Sequence, residues 1–543
     1  MNRKQGFTLV ELLAVIVILV ILIAITLPCI IGIINNTKTS AYNDQMKLFK
    51  QAAALYSDQN GIESGNNSVT LQQLIDGNFL PSNIENPVSG QLFDTGMTVV
   101  INRSSGSPDY QIQEAPALVT GMIPVYYDDA TGLWKKASIL NPSNQWYDYN
   151  NQQWANAVTV ITSSRATYQS TAVGTTINMS DISAFFVWIP RFKYRIPTGT
   201  GAREILVSFE AKNATKSMGN AKTTYYTHPA FTFGTTELSG IWVGKFETTG
   251  IITAPTILPN TQSLRSQAVK AMYDSVKTNM QSSVTYGFIN DNDIHMMKNM
   301  EWGAVAYLTG SRYGKYGNAS YTTLASKELF LNNSSSYYTG RSSGAPSGSG
   351  VLTPTNEYIS AGYYTYDGKC ATINAALPQC STGTAGVTSL TNKTLAYGAS
   401  TTGTIYGIYD ISGGAYDYVM GLYESNPILS TGIADVSGYS STTTNSQYNL
   451  LTINTKYYDR YLTDAAVTGA ALGDGTKEIS GWSGNAFVGW YGDYANFVGK
   501  GWPWFIRGGG YANGASAGTW YFNCTSGGLS SYMSFHVVLS PQS

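Results

Sequence analysis

The chain has 543 residues, and its 32 basic and 33 acidic residues give a formal net charge of −1. This balance excludes the basic footprint of a nucleic-acid-binding protein for the chain as a whole. A charged fraction of only 12% also excludes disorder caused by charge repulsion. The length allows about three domains. Tyr (39), Gly (55) and Trp (11) are abundant, as on the neutral, hydrogen-bonding surfaces of many binding proteins.

The N-terminus has a short basic leader, residues 1–6, followed by an apolar stretch from Phe7 to Ile34 whose one charge is Glu11. As a helix this stretch exceeds the ~30 Å hydrocarbon core of a bilayer, so a transmembrane helix is predicted over residues 7–34. The basic residues before it place the N-terminus in the cytoplasm. A cleaved secretory signal is disfavoured, because the stretch is too long and no small-x-small cleavage site follows. A charge inside such a span is expected to have a function and a partner.

The junction of leader and helix, Gly6 followed by Phe7-Thr8-Leu9-Val10-Glu11, closely resembles the type IV prepilin signature. The resemblance implies that a prepilin peptidase cleaves after Gly6 and that the new amino group on Phe7 is methylated. It also implies that Glu11, one helical turn from Phe7, pairs with the N-terminus of a neighbouring pilin subunit. The expected product is a single-pass membrane protein that is then assembled into an extracellular pilus at the cell surface.

The next segment is predicted to be a pilin-like head. The pilin helix, residues 7–58, continues past the membrane as an amphipathic helix, with apolar residues three or four apart at Tyr42, Met46, Phe49, Ala53 and Tyr56. Gly61 and the cluster Gly65-Asn66-Asn67-Ser68 are predicted to end this helix. A short helix is predicted at 71–75 and strands at 97–101 and 110–112. Residues 59–115 resemble the small head of a Gram-positive pilin, which implies a Gram-positive cell surface.

The remaining chain is divided into a β-rich connecting region, residues 116–181, and a large domain, residues 182–543. The large domain contains a strand before Arg191, a strand from Gly240 to Thr248, an amphipathic helix around Trp302, a glycine turn near 413 and Arg507-Gly508-Gly509. The order of these landmarks resembles the C-type lectin-like fold in its formylglycine-generating-enzyme branch. The predicted fold class is therefore α+β. Residues 331–400 are assigned to an insertion, whose part 331–350 is expected to be mobile.

The resemblance does not extend to the chemistry of that enzyme branch. His536 stands where an Arg is usual, and only Cys524 lies between Arg507 and His536, whereas the oxidase needs a cysteine pair because copper(I) prefers two thiolates. Asp410 and Asp417 could form a carboxylate pair, but their spacing alone does not indicate hydrolysis. We therefore predict no catalytic residue, no metal and no cofactor, and a protein that is not an enzyme.

The same fold is used by the variable proteins of diversity-generating retroelements, which bind ligands through diversified C-terminal residues. The stretch from Trp490 to Tyr532 is similar, because polar and aromatic residues alternate there with Gly and Ala. The predicted ligand-binding residues are Tyr491, Tyr494, Tyr511, Asn513, Ser516, Thr519, Trp520, Asn523, Ser526 and Tyr532. They are expected on one exposed face, above a buried framework of Trp502, Trp504, Phe505, Arg507, Phe535 and Val537. Whether the segment is programmed to vary is left open.

Four functional hypotheses remain. The leading one is a minor pilin that acts as an adhesin for an extracellular protein or glycan. The alternatives are a major structural pilin, a pseudopilin of a secretion or DNA-uptake filament, and an enzyme displayed on a pilus. Cys370 and Cys380 close a short Gly- and Thr-rich loop, and a disulfide between them is predicted for an exported domain.

Overall fold

The protein forms an α+β structure with mostly antiparallel sheets and few helices. The computed structural model describes residues 34, 37–38, 40–62, 66–103, 108–139, 145–197, 203–281, 284–288, 292–342, 364–371, 393–423, 436–439, 453–462, 472–476, 489–499 and 501–541. Among these residues, no helix combines the length and apolar character needed to cross a bilayer. Gly6, Phe7, Glu11 and, apart from Ile34, the predicted transmembrane helix lie outside the described residues.

The chain divides into two compact units. The first comprises residues 1–112 with 213–216, and the second comprises residues 113–212 with 217–543. In the first unit, residues 40–59 form helix α1. The other elements of this unit are β1 (Asn66–Thr70), α2 (Leu71–Asp76), β2 (Thr98–Asn102) and β3 (Asp109–Gln113).

The first unit is built as the amphipathic pattern predicts. The buried side of α1 carries Tyr42 and Phe49, and both rings pack on Phe93, with centroid distances of 5.7 and 5.0 Å. Helix α2 begins at a capping box, in which Thr70 and Gln73 each bond the other's backbone N–H. The predicted helix at 71–75 and the two predicted strands are thus confirmed.

Helix α1 ends at residue 59, before Gly61, as predicted. Asn66, Asn67 and Ser68 then pair antiparallel with β2 in strand β1, and the sheet order is β1-β2-β3. Asn and Ser favour turns in isolation. Here the pairing with β2, where Val69 lies opposite Val99, outweighs that preference.

The second unit holds most of the secondary structure. Its strands are β4 (Ile123–Asp128), β5 (Leu133–Lys136), β6 (Asn156–Val160), β7 (Ile182–Pro190), β8 (Phe192–Arg195), β9 (Leu206–Phe209), β10 (Tyr226–Thr227), β11 (Thr232–Phe233), β12 (Thr236–Glu237), β13 (Gly240–Gly244), β14 (Thr249–Ile251), β15 (Ala254–Thr256), β16 (Asn292–Met296), β17 (Tyr416–Tyr423), β18 (Asp459–Tyr461), β19 (Trp504–Arg507), β20 (Phe522–Thr525), β21 (Met533–Ser534) and β22 (Val537–Pro541). Its helices are α3 (Thr162–Ser170), α4 (Val269–Ser275), which a π-helical stretch (Val276–Met280) continues, α5 (Asn299–Thr309), α6 (Leu324–Lys327) and α7 (Lys393–Tyr397).

A seven-stranded sheet, in the order β16-β22-β13-β7-β6-β4-β5, forms the centre of this unit. All neighbouring strands in it are antiparallel. Trp188 of β7 lies opposite Trp242 of β13, and both rings are buried. Because β4, β5 and β6 belong to this sheet, the predicted boundary at residue 182 does not separate two domains. The aromatic segment 116–181 supplies one side of the sheet.

A second, five-stranded sheet has the order β18-β17-β19-β20, with β21 paired to β17. Asp417 of β17 lies opposite Arg507 of β19 in an antiparallel pair. Helix α5 contacts β7 of the large sheet and β17 of the second sheet. Every residue of α5 is buried, so the prediction of an amphipathic helix around Trp302 is wrong. A helix packed on all sides needs no polar face.

The predicted mobile insertion is also partly wrong. In the described part of 331–350, residues 331–342, Leu331 and Asn332 are buried, and the Asn332 side chain donates to Asp410 Oδ1 at 2.8 Å. The composition of these residues, rich in Ser, Tyr and Asn, is typical of a low-complexity segment. Their polar groups are nevertheless used inside the fold.

Candidate functional site

A buried framework lies beneath the C-terminal loops. Trp504 and Phe505 of β19 are buried, as is Arg507, whose Nη1 donates to Asn299 Oδ1 at 3.1 Å. Gly509 follows with a φ of +74°, and a Cβ there would lie 2.8 Å from Ala517, so only glycine fits this turn. Trp502 was predicted as framework but is 55% exposed, because it precedes the strand.

A cluster of buried acids and one histidine holds the neighbouring loops in place. Asp410 Oδ1 accepts from the backbone N–H of Gly340 (2.9 Å), and Glu247 Oε1 accepts from that of Ala415 (2.9 Å). A Cβ on Gly414 would come within 2.6 Å of Glu247 Oε1, so glycine permits this approach. Burial raises the pKa of Asp410 to about 6.

This cluster is enclosed. The side chains of Glu247, Asp410, Asp417 and His536 are at most 1% exposed. Within the described residues, no group of three or more His, Cys, Asp or Glu is arranged to hold a metal ion. The cluster's role is to fix the loops that carry Tyr337 and Tyr416.

Six tyrosines meet above this framework, and we call them the tyrosine cluster. Its members are Tyr337, Tyr416, Tyr494, Tyr511, Tyr521 and Tyr532. The Tyr337 ring packs edge-on against Tyr511, with centroids 5.1 Å apart, and it is tilted relative to the Tyr532 ring, whose centroid lies 6.5 Å away. The Tyr521 ring lies 5.8 Å from both Tyr416 and Tyr494. Tyr416 links the two groups, because its backbone N–H donates to the carbonyl of Tyr532 at 2.9 Å.

The cluster has a buried base and an exposed rim. Tyr337 and Tyr521 are buried, whereas Tyr532 is 54% and Tyr494 37% exposed. The Arg265 guanidinium lies 3.9 Å from the centre of the Tyr337 ring, within cation–π range. Burial, followed by the neighbouring Tyr511, raises the pKa of Tyr337 to about 12. Its phenol group is therefore neutral at physiological pH and can both donate and accept hydrogen bonds.

The structure separates the predicted ligand-binding residues into several places. Tyr494, Tyr511 and Tyr532 belong to the tyrosine cluster. Asn513 shapes a turn next to it, since its Oδ1 accepts from Gly510 N (2.7 Å), whereas Asn523 lies in strand β20 and its Nδ2 donates to the Tyr521 hydroxyl (3.3 Å). Ser516 is also part of a turn, and its carbonyl accepts from Tyr494 N at 3.0 Å. Ser526 lies in a different hollow, lined also by Tyr418, Leu529 and Met533.

Tyr491, Thr519 and Trp520 line a separate cleft. Trp520 is only 3% exposed, and its ring packs between Trp490 (5.4 Å) and Tyr307 (5.9 Å). Thr519 is also buried, and its carbonyl accepts from the indole of Trp302. The expectation that all ten residues share one exposed face is therefore wrong. Tyr491 has a φ of +64°, a strained conformation for a bulky residue.

Some members of these sites could not be recognised from the sequence. Tyr337, Tyr416 and Arg265 contribute to the tyrosine cluster from distant parts of the chain. Glu328 lines the cleft from outside the C-terminal segment. No local motif marks these residues, since long-range packing alone brings them to the sites.

The cysteines fit an exported unit. Cys370 is disulfide-bonded, and its predicted partner Cys380 lies outside the described residues. Cys524 is a free thiol, and burial raises its pKa, so thiolate chemistry at this position is disfavoured.

Comparison with known proteins assigns the N-terminus. Residues 1–27 match the family model of the prokaryotic N-terminal methylation motif. The chain therefore has a type IV prepilin-like N-terminus, and prepilin peptidase and other pilin subunits are the partners that this motif indicates. The match also indicates anchoring in a membrane before display on a surface pilus. Among curated proteins, none gives a significant match to the chain.

Proposed function

We propose that the protein is a minor type IV pilin that acts as an adhesin. Its N-terminal helix joins the filament, and its second unit, a C-type lectin-like domain in this proposal, binds an extracellular protein or glycan. The match at residues 1–27 supports the assembly part of the proposal. The large size of the second unit supports a minor pilin, present in few copies, because so bulky a head would crowd a regular helical array of subunits.

The tyrosine cluster is the observation that carries the binding part. Exposed tyrosines give large contact areas at small entropic cost, because only two side-chain torsions are restricted on binding. Here their backbone is fixed from below by the buried acids and by Gly414 and Gly509. The rim of Tyr494, Tyr511 and Tyr532 is thus a preorganised aromatic surface, which reduces the free energy lost on binding.

Binding rather than catalysis is part of the proposal. The acidic groups nearest the cluster are enclosed, and the free thiol is disfavoured as a nucleophile. The similarity of the C-terminal segment to retroelement variable proteins further supports a surface whose loops tolerate change. A near-copy of the gene's 3′ end, differing mainly at adenines and next to a reverse transcriptase gene, would support programmed variation.

The test is a binding screen with the full chain in detergent against arrays of surface glycans and proteins. For any ligand found, Tyr511→Ala and Tyr532→Ala should each weaken binding by about 30-fold or more, equivalent to about 2 kcal/mol. Their melting temperatures should barely change, because both side chains lie at the rim.

Two control variants complete this test. Tyr126→Ala removes a partly exposed tyrosine of β4 and should leave the affinity unchanged. Trp520→Ala should instead lower the stability by about 3–5 kcal/mol, the usual result of removing a buried tryptophan. If ligand binding survives both rim substitutions, the binding surface lies elsewhere.

A further inference from the structure

Arg265 adds a positive charge to the tyrosine cluster, and the proposed contact through the exposed rings does not use it. The guanidinium of Arg265 lies over the ring of Tyr337, and its Nη1 donates to the backbone carbonyl of Ser531. Ser531 precedes the rim residue Tyr532 in the chain. The Arg265 side chain is partly exposed, so its charge is presented at the edge of the aromatic surface.

The backbone around Arg265 is fixed as well as its side chain. The backbone N–H of Ser266 donates to the carbonyl of Ser530 at 3.0 Å, and Gln267 forms an antiparallel bridge with Ser530. Ser266 also has a φ of +61°, a conformation that few residues other than glycine adopt. Because the guanidinium is ordered before a ligand arrives, less entropy is lost when it forms an ion pair.

No carboxylate among the described residues forms an ion pair with Arg265, and its one hydrogen bond there is to the Ser531 carbonyl. A guanidinium has five N–H donors. The Nε donor of Arg265 is enclosed without a partner, so it is out of reach of a ligand. The remaining donors on Nη1 and Nη2 are the ones that an external acceptor can use.

The buried acids below the cluster do not neutralise this charge. Burial raises the pKa of Glu247 well above its usual range, so its carboxyl group is uncharged at neutral pH. The carboxylate of Asp417 is paired with His536, whose pKa is raised by Asp417. Asp410 is enclosed and accepts from the backbone N–H of Gly340. The exposed side of the cluster therefore presents one cation among phenol groups.

This combination matches a sugar ring that carries a carboxylate. A planar guanidinium recognises a carboxylate through two parallel hydrogen bonds. Each exposed tyrosine has a flat apolar face and a hydroxyl group at one end, and a sugar ring likewise has an apolar C–H face and hydroxyl groups at its edge. An acidic peptide would bring its carboxylate on a flexible side chain, with no comparable face to stack on the rings.

We infer that the tyrosine cluster binds an acidic glycan, whose carboxylate pairs with Arg265 while its sugar rings pack on Tyr511 and Tyr532. This inference rests on the adhesin proposal and names the class of ligand for the same surface. Because the ion pair forms at a partly exposed side chain, added salt weakens it.

The experiment compares carboxylated oligosaccharides with their carboxyl-reduced counterparts, using the full chain in detergent. The probes are trigalacturonic acid, a hyaluronan tetrasaccharide and 3′-sialyllactose, each beside the same compound with its carboxylates reduced to alcohols. At least one acid should bind. Reduction should weaken its binding about tenfold or more, because the charge-assisted hydrogen bonds are lost. Added sodium chloride should weaken binding of the acid and leave that of the alcohol unchanged.

Three variants assign the effect to Arg265. Arg265→Gln should lower the affinity for the acid to that for its alcohol. Arg265→Lys should retain part of the affinity, since it keeps the charge but loses the two parallel hydrogen bonds, and it tests the site even if Arg265→Gln fails to fold. The matched control is Lys222→Gln, which removes the charge of an exposed residue and should leave the affinity unchanged.

The outcomes separate this inference from the adhesin proposal. Equal affinity for acid and alcohol, unchanged affinity in Arg265→Gln, or no binding of any of the three acids would overturn the acidic glycan. A glutamate-rich peptide that binds as tightly as the best acid would also overturn it and assign the surface to acidic polypeptides. If another ligand from the arrays still loses binding in Tyr511→Ala, the adhesin proposal is retained without this inference. If no ligand depends on the rim tyrosines, both are wrong.

Discussion

His536 Nδ1 lies 3.0 Å from Asp417 Oδ1, and neither side chain is exposed. Burial alone would lower the pKa of His536, but the attraction of Asp417 and Asp410 outweighs burial and raises it. The pair connects β17 with the residue before β22, and therefore joins the two sheets of the second unit.

Asp417→Asn should lower the free energy of unfolding by about 3 kcal/mol, because it leaves His536 buried without its charged partner. The pKa of His536 should fall in the variant. Urea unfolding of the full chain in detergent, followed by tryptophan fluorescence, measures the stability. The matched control is Asp129→Asn, which removes an exposed ion pair with Lys393 and should change the stability by no more than about 0.5 kcal/mol. Equal effects of the two substitutions would contradict a structural role for the pair.

The mature chain should begin at Phe7 with a methylated amino group. The basic leader, the retained apolar helix and the match at residues 1–27 all indicate this processing. Mass spectrometry of protein from the cell surface measures it, and protein from cells lacking the prepilin peptidase should retain residues 1–6. A mature chain that starts after residue 25 would show that the segment is a secretory signal.

Glu11→Ala should insert into the membrane normally but fail to enter pili. Removing the charge makes insertion easier by roughly 2.5–3.5 kcal/mol, while it deletes the partner of the neighbouring subunit's N-terminus. Immunoblots of membrane and sheared-pilus fractions separate the two steps. Leu12→Ala is the matched control and should assemble. If the Glu11 variant reaches pili at the normal level, its predicted role in assembly is wrong.

The stability of the second unit should depend on pH through Glu328. Its pKa is raised to about 8 in the folded protein, so the folded state holds this proton more tightly than the unfolded chain does. At pH 5 the folded carboxyl is neutral, and Glu328→Gln should change the stability little beyond local packing. Between about pH 4.5 and pH 8 the unfolded chain ionises this carboxyl while the folded protein keeps it protonated, so the wild type loses stability relative to the variant over this interval, and the difference levels off above pH 8.

Between pH 5 and pH 9 the advantage of Glu328→Gln should grow by about 4 kcal/mol, since the pKa is raised from 4.5 to about 8 and each pKa unit corresponds to about 1.4 kcal/mol. Melting curves of both proteins between pH 5 and 9 measure the difference. A constant difference across this range would mean that Glu328 does not titrate in the folded state as described.

Local patterns predicted those parts of the fold that local forces determine. The spacing of Tyr42, Met46 and Phe49 predicted the buried side of α1. The strand-forming aromatic residues Trp504 and Phe505 predicted the buried framework. In contrast, β1 and the burial of α5 depend on partners far away in the chain. A run of Asn and Ser, or a helix with a polar residue, contains no information about such partners.

The residues of the candidate site could likewise be predicted only where their neighbours in the sequence determine their exposure. Tyr511 lies beside three glycines and Tyr532 follows two serines, and both side chains are at least partly exposed. Trp520 has similar neighbours, but its ring is enclosed by Trp490 and Tyr307 from other elements. Tyr337 and Glu328 reach the two sites from loops that no short motif identifies, so only the three-dimensional structure could place them.

Strand β22 lies inside the large sheet, between β16 and β13, although it comes last among the strands described. The sheet therefore has a gap until residues 537–541 have been made and exported, and β13 cannot complete its pairing before then. Folding of this unit must wait for nearly the whole chain to cross the membrane. A premature stop upstream of β22 would leave β16 and β13 without the strand between them, so the large sheet could not be completed.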